Sequence, residues 1–480
     1  MGLQVSGRED FLRSFEGAAE VIRRHVERGD IIHIVTHSDA DGIAAGSTVG
    51  RALRRMGAPF KISCEKRIDE GLVESIAAES PSLVVFTDMG SGYLDIIEKH
   101  LRDVDTVVLD HHLPLDVQSE RLVHINPITC GLDGSREISG AGLAYLLART
   151  LDGGNLDLSV LGIVGALADQ QDKGEKRALL GLNIEIEGAA KEAGLLETRV
   201  DLIFYGYETR PLAQALARTT TPFLPGLSGR EDRCVAFLQE IGIELKREGR
   251  WRALKDLTEE EKRHLYSQLS KHLLSEGCKP EIIHGLVGTI YLFPREEPRT
   301  PLRDGREYAS LLNACARMDR PSLGVSICLG DRGRCFEEAE RLFNEYRRRI
   351  AGYLEWVEEM KLIEERRNIY VLRAGSGIDD RIIGVVASIL LSTGLLEREK
   401  PIVATAKSDE GLIKVSARAT ERMVRAGVDL GAAMMKAAEK TSGRGGGHDT
   451  AAGAFLREEE EERFLELVDE IVGEQLGSRE

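Results

Sequence analysis

The chain of 480 residues carries 64 basic and 80 acidic side chains, a net charge of −16, and 42% hydrophobic residues. That length predicts two to four domains with ordinary apolar cores, and the acidic balance excludes polyanion binding by bulk charge, so any such site has to be a local basic groove. The seven cysteines lack C-x-x-C spacing, which speaks against a cysteine-held zinc site and for reduced thiols in a cytoplasmic protein, and no apolar run is long enough to span a membrane.

In chain order, Asp10 to Glu27 is an expected amphipathic helix, with Phe11, Phe15, Ala19, Ile22 and Val26 at helical intervals. Ile31 to Gly42, I-I-H-I-V-T-H-S-D-A-D-G, reads as a buried strand that ends by delivering acids to the rim of a sheet. Asp39 and Asp41 are two apart, so in extended chain they point to the same side, and carboxylates held that close repel unless a cation sits between them. A helix is expected over Gly42 to Arg55. Leu83 to Asp88 and Thr106 to His112 repeat the device, the first ending in Asp88 and the second in Asp110-His111-His112. A shorter strand, Leu122 to Ile125, follows. Leu161 to Asp169 has the small, apolar composition of a tightly packed helix that ends in a further acid. Strands alternating with helical stretches predict right-handed crossovers and a mostly parallel, doubly wound α/β sheet, in which ligands bind beyond the carboxyl ends of the strands. Hard carboxylate oxygens mixed with imidazole suit Mn²⁺ or Mg²⁺ better than Zn²⁺, and the ligands suffice for two ions.

Beyond this region, Leu257 to Leu274 is the clearest helix of a charged, helical stretch. Ala339, Leu342, Phe343, Tyr346, Ile350 and Tyr353 recur at intervals of three or four, predicting a rod from Phe336 to Arg366 of about 46 Å. Ser442 to His448, S-G-R-G-G-G-H, reads as a glycine-rich loop whose backbone N–H groups form a phosphate nest, reinforced by Arg444, His448 and Arg418.

Taken together, H-S-D-A-D-G, T-D-M-G, L-D-H-H, H-I-N-P, S-G-A-G at Ser139 to Gly142 and A-L-A-D ending at Asp169 resemble the ordered motifs of the DHH phosphoesterase superfamily. Leu312 to Met318 resembles the L-N-A-x-G-R-M segment of RecJ-type exonucleases. Ser416-Ala417-Arg418 and Gly445 to Gly453 resemble the nucleic-acid-binding DHHA1 domain. Size and arrangement look most like the archaeal RecJ-like, GINS-associated nucleases.

The resemblance implies that Asp39, Asp41, Asp88, His111 and Asp169 bind two divalent cations, Mn²⁺ preferred and Mg²⁺ possible, with Asp88 bridging. It implies that Asp110 orients the histidines and His112 faces the scissile phosphate. The family often carries a ligand histidine four residues before the first Asp. Here that position is Val35, and the candidate is His37, on the same side of an extended strand as Asp39; His33 reads as a core or sheet-face histidine. Substrate contacts are expected from Arg317, Ser416, Arg418, Arg444, Gly445, Gly446, Gly447 and His448. The implied domains are a catalytic DHH domain over 1–224 that continues at 301–335, an inserted module at 225–300, a connecting helix at 336–367 and a smaller α/β DHHA1 domain at 368–480.

The implied activity is hydrolysis of single-stranded DNA or RNA by a two-metal exonuclease linked to replication or repair. The resemblance favours 5′-to-3′ cleavage, whereas the residues themselves set no polarity. It also implies GINS as a partner of the insert, which reads equally well as a structural buttress. The alternatives are a replication scaffold with little catalysis and a phosphoesterase of short oligonucleotides or cyclic dinucleotides.

Overall fold

Buried apolar runs alternating with amphipathic helices build a parallel sheet first and a mixed sheet later in the computed structural model, which describes residues 2–477 except 118, 220, 221, 223, 279, 393–395, 397, 409 and 410. The chain divides into two units: Met1–Arg210, Ala253–Lys255 and Val287–Phe343 form the first, and Pro211–Arg252, Asp256–Leu286 and Asn344–Glu480 form the second.

The first unit opens with helix α1 (Gly2–Arg28), whose Phe11, Phe15, Ala19 and Ile22 are buried as their helical spacing requires. Then come β1 (Ile32–His37), α2 (Ala40–Arg55), β2 (Phe60–Glu65), α3 (Glu70–Ala78), β3 (Leu83–Thr87), α4 (Leu94–Leu101), β4 (Asp105–Leu109), β5 (Leu122–Ile125), α5 (Gly140–Leu151) and α6 (Ser159–Ala168). The five strands are parallel throughout, in the order β2-β1-β3-β4-β5. Every residue of β3 is buried, as a central parallel strand covered on both faces must be. Strand order reverses between β1 and β3, the point in such sheets where a crevice forms beyond the carboxyl ends of the strands.

The first unit continues through α7 (Leu182–Glu192) to β6 (Glu197–Leu202). In the second unit lie α8 (Leu212–Arg218), α9 (Glu231–Glu240), the two-residue strands β7 (Lys246–Arg247) and β8 (Arg250–Trp251), α10 (Glu259–Ser275) and α11 (Pro280–His284). Strand β9 (Val287–Leu292) then returns to pair antiparallel with β6, so the helical stretch leaves and re-enters beside a two-stranded sheet. Helix α10 matches the helix expected at Leu257 to Leu274, and its start is fixed by a capping box between Thr258 and Glu261. The first unit closes with α12 (Gly305–Arg317) and α13 (Pro321–Cys328).

Helix α14 (Arg334–Met360) is shorter than the rod expected from Phe336 to Arg366. Lys361 takes a left-handed φ of 51°, which no helix continues through, and the chain enters β10 (Ile363–Glu365).

The second unit ends in β11 (Tyr370–Arg373), α15 (Ile383–Ser392), β12 (Ile402–Lys407), β13 (Ile413–Arg418), α16 (Glu421–Arg425), α17 (Leu430–Lys440), β14 (Arg444–Gly447), β15 (Ala451–Leu456) and α18 (Glu461–Gly477). Its six-stranded sheet runs β10-β11-β12-β13-β15-β14, parallel only between β11 and β12. Val403, Val415, Ala417, Ala452 and Ala454 pack with Leu430, Met434, Phe464 and Val468 of α17 and α18 in one apolar core. The chain is thus a parallel α/β domain followed by a smaller α/β domain. No described helix is long and apolar enough to cross a membrane.

Candidate metal centre and substrate face

Four elements deliver side chains to the crevice at the β1/β3 reversal. Asp39 caps α2, its carboxylate accepting from the Gly42 N–H at 3.0 Å. Asp41 lies in the first turn of α2, so the expectation that Asp39 and Asp41 share one side of an extended chain is corrected: the strand has already ended at His37. Asp41 is turned instead toward the start of α5, where its two oxygens accept from Gly140 N–H at 2.7 Å and Ala141 N–H at 2.9 Å. A helix N-terminus favours a carboxylate there and leaves it little freedom to rotate. Gly165 on α6 has no side chain because Asp41 Oδ1 already fills the space a Cβ would take.

Asp88 follows β3 with a left-handed φ of 59° and is 2% exposed. Its two oxygens face different histidines: Oδ1 lies 3.1 Å from His111 Nε2 and Oδ2 3.5 Å from His37 Nδ1. His37 Nδ1 is also 3.1 Å from Asp39 Oδ2. His111 Nδ1 donates to the Gly134 carbonyl at 2.6 Å, which leaves Nε2 toward the acids, 3.8 Å from both Asp41 Oδ2 and Asp169 Oδ2. Asp169 caps the end of α6, as its helical composition predicted.

Three donor groups therefore overlap, each with ligand atoms within 4.8 Å of one another: His37, Asp39 and Asp88; Asp41, His111 and Asp169; and Asp88, His111 and His112. His37 stands with Asp39 and Asp88, whereas His33 lies in the sheet, its Nε2 2.8 Å from Ser63 Oγ. Burial pushes the His33 ring down to about 4, so it is neutral near pH 7.

The electrostatics test whether a cation fits. Burial pushes the carboxyls of Asp41 and Asp169 up, and Asp88 pushes both the same way. Burial opposes charge on His37 and His111, yet the surrounding carboxylates raise both rings well above their ordinary value. Several buried carboxylates thus crowd two imidazoles, and their mutual repulsion calls for compensating positive charge. A divalent cation supplies the same compensation to a donor set of hard oxygens and imidazole, so the residues fit one.

His112, partly exposed, is held by Asp110, whose Oδ1 lies 2.7 Å from His112 Nδ1. Asp110 is 1% exposed and its Oδ2 accepts from Ser91 N–H at 2.8 Å. Despite burial, His112 and His111 hold the Asp110 carboxyl well below the usual range, and Asp110 in turn raises the His112 ring. Asn126 donates to the His112 carbonyl and to Ser91 Oγ, each at 2.8 Å.

Two polar residues of this network, Ser91 and Gln171, were not singled out from the chain, and Asn126 was noted only as part of H-I-N-P, with no role. Gln171 is fully buried. Its Nε2 lies within donating distance of the Gly134 carbonyl at 2.9 Å, the Ile138 carbonyl at 3.2 Å and Asp169 Oδ2 at 3.1 Å, and its Oε1 accepts from Asn183 at 2.8 Å. It thereby joins Asp169 to the carbonyl that orients His111. No periodicity marks either residue; the nearest signal for Gln171 is its place two residues after the acid that closes A-L-A-D.

Arg317 ends α12, and its charge helps hold the Asp39 carboxyl down after the larger pull of His37. The remaining candidates lie in the second unit. Ser416 and Arg418 share the β13 face toward α15: Arg418 Nε donates to Ser388 Oγ at 2.9 Å, and both side chains approach Gly384. The glycine run is not the expected loop. Arg444 to Gly447 form edge strand β14, paired with β15, and Gly445 lets it lie close against the Met434 carbonyl of α17. Extended backbone does not converge its N–H groups as a nest does. Within the register Gly446 pairs Gly453, which pairs Ser416, so Gly446, Ser416 and Arg418 belong to one face and Gly445 and Gly447 to the other. His448 is exposed in the β14–β15 turn, its N–H donating to the Ala451 carbonyl at 2.9 Å.

Carboxylates and imidazoles gathered at the switch point of a parallel sheet, with a smaller α/β domain later in the chain, form a donor set of the kind found in metal-assisted phosphoesterases. Family models narrow that class: the DHH family N-terminal domain matches residues 31–166, the DHH-CID domain 204–287 and the DHHA1 domain 367–474. An uncharacterized protein of Methanocaldococcus jannaschii is 32% identical over 97% of this chain and 99% of its own length. The chain accordingly belongs to the DHH phosphoesterase family, in its DHH–DHHA1 branch. The single-stranded-DNA-specific exonuclease RecJ of Dickeya dadantii is 24% identical over 96% of this chain and 69% of that protein. Among solved structures, RecJ of Thermus thermophilus in complex with Mn²⁺ superposes with a TM-score of 0.56 at 20% identity, covering 96% of this chain, which spans 55% of the RecJ chain. CDC45 of Entamoeba histolytica gives a TM-score of 0.66 at 10% identity over 96% of this chain and 99% of the other. These two likenesses concern the fold.

Proposed function

We propose that the protein is a metal-dependent exonuclease that removes nucleotides from single-stranded DNA or RNA. The observation that carries the proposal is Asp88, whose two oxygens face two separate donor groups. In this reading His37, Asp39 and Asp88 hold one divalent cation, and Asp41, His111 and Asp169, with Asp88 shared, hold a second, Mn²⁺ in preference to Mg²⁺. A bound pair of cations supplies an activated water and charge compensation for a phosphoryl displacement. The chain's own residues do the rest. The α5 N-terminus fixes Asp41, the Gly134 carbonyl fixes the His111 ring, and buried Asp110 orients His112 as a donor to a non-bridging phosphate oxygen.

Arg317 lies close enough to act electrostatically on Asp39, which suits a contact to the phosphate beside the metals. Ser416, Arg418, Arg444, Gly446 and His448 form the strand-binding face of the DHHA1 domain, with Gly445 and Gly447 shaping its backbone. Backbone contacts of this kind hold a strand without reading its sequence. Arg418→Ala is expected to weaken single-strand affinity several-fold at fixed salt with Mn²⁺ binding unchanged, measured by anisotropy and calorimetry. The single-strand specificity of the Dickeya RecJ supports the single-strand substrate, while the resemblance to archaeal RecJ-like nucleases is what favours a role in replication or repair, GINS as a partner of the insert and 5′-to-3′ polarity.

The CDC45 likeness favours a second reading, a replication scaffold with little catalysis. Digestion of single strands labelled at either end, in DNA and RNA with Mn²⁺ or Mg²⁺, separates the two. Stepwise release of nucleotides from one end is expected, with duplexes resistant. No degradation of any strand would favour the scaffold, and a strong preference for dinucleotides would overturn the exonuclease.

A further inference from the structure

The inserted helical stretch carries a feature that neither its core nor the metal centre uses. Strands β7 and β8 form a hairpin closed by Glu248 and Gly249, both left-handed at φ of 51° and 77°, the backbone of a tight two-residue turn. From Lys246 to Arg252 there are four basic residues and one acid, in a chain of net charge −16. Lys246, Arg247, Arg250 and Trp251 are all exposed, and Trp251 is 51% exposed with Lys246 Nζ 4.3 Å from its ring centroid.

A hairpin this short does not hold its shape alone. Arg252 holds it from below: it is 3% exposed, grips Glu261 at the capped start of α10 through both terminal nitrogens, and donates to the Glu244 and Asp256 carbonyls. The side chains of the hairpin are therefore presented on a fixed platform, Lys246 and Trp251 on one face and Arg247 and Arg250 on the other. In the antiparallel register Lys246 faces Trp251 and Arg247 faces Arg250. Two guanidinium groups directly across a ladder repel, and neither Arg247 nor Arg250 has an ion-pair or hydrogen-bond partner among the described residues. An anion between them would reverse the sign of that interaction.

We propose that this hairpin is a second binding surface for single-stranded nucleic acid, in which Arg247 and Arg250 grip backbone phosphate and Trp251 stacks on a base. The proposal rests on the single-strand substrate of the preceding section. The arginine pair on one face and the exposed indole on the other match a backbone phosphate and a base of different nucleotides in a strand that wraps the hairpin. An acidic protein would meet the same charges, but a hairpin of a few exposed residues falls well short of the surface that a stable protein interface buries. A strand wrapping the hairpin needs only a few nucleotides here, because its remaining contacts lie elsewhere.

The test is anisotropy of a long labelled oligo(dT) strand in chelator, across a salt series. Arg247→Glu with Arg250→Glu is expected to lower affinity at least about 10-fold and to flatten the salt slope by about 1.4, the value for two phosphates of a single strand. Trp251→Ala is expected to lose about 5-fold or more, whereas Trp251→Phe, and Arg247→Lys with Arg250→Lys, should retain most affinity. Circular dichroism of each exposed-site variant should match the wild type. Unchanged affinity and slope in both the double Glu variant and Trp251→Ala would overturn the hairpin while leaving the substrate reading intact, and would assign these charges to an acidic protein. Failure of the wild type to bind any single strand would overturn both.

Discussion

Asp88→Asn is expected to lower cleavage of single strands by at least about 10³-fold with the fold intact, the scale of loss when one member of a catalytic unit is removed. The reason is positional. Among the described residues, Asp88 is the carboxylate whose two oxygens reach both His37 and His111, so no neighbour can replace it. Asn is the cleaner substitution because Asp88 is left-handed at φ 59°, a conformation that Asn tolerates and that costs Ala roughly 1–2 kcal/mol. Asp88→Ala should be equally inactive and somewhat less stable. The discriminating measurement is thermal unfolding with and without Mn²⁺. A cation bound only by the folded chain raises the wild-type melting temperature, and most of that rise should vanish in Asp88→Asn. Near-wild-type cleavage by either variant would sink the bridging role.

The second large effect is expected at Gln171, a residue that need not touch substrate. Gln171→Leu keeps the side-chain volume but strips hydrogen bonds from Asp169, two carbonyls and Asn183. Buried groups left unsatisfied cost about 1–3 kcal/mol each, so a loss of about 2–4 kcal/mol in urea unfolding is expected after partial relaxation. Activity should fall by about 10- to 100-fold, the range seen when a ligand's supporting partner is removed. The readout that separates positioning from general weakening is Mn²⁺ affinity by electron paramagnetic resonance under conditions where the variant is fully folded. It should drop, because Asp169 and the Gly134 carbonyl that orients His111 lose a common donor. Gln171→Glu should be no better than Leu: it retains shape but sets an acceptor against three acceptors. Unchanged Mn²⁺ affinity in the folded Leu variant would refute the positioning role.

How much of this was readable along the chain varies from residue to residue. Leu83 to Thr87 is an unbroken apolar run, and such a run has nowhere to go but a strand buried on both faces; Asp88 then had to emerge at its end. Asp110 to His112 follow by the same logic. Asp41 shows the boundary. Its acid type was evident, yet its partners are the N–H groups of Gly140 and Ala141, about a hundred residues on, and its place in a helix turn overrode the two-residue periodicity of a strand. The glycine run failed differently. Glycine permits a nest, but it equally permits a strand to lie against a helix carbonyl, and packing on α17 chose the second. The rod past Met360 failed because apolar spacing alone does not record a left-handed residue at Lys361.

By itself the sequence determined which side chains reach the sheet's rim: the carboxylates and imidazoles that close apolar runs, as Asp88 and Asp110 to His112 do, leave the strands at their ends. Which of those side chains are neighbours was decided by the tertiary structure. Strand order β2-β1-β3-β4-β5 sets the end of β1 beside the end of β3, so Asp39 and His37 meet Asp88, and α5 and α6 bring Gly140 and Asp169 to Asp41 and His111. Local periodicity carries no term for that order. It is set by which apolar faces bury one another, a property of the whole folded chain.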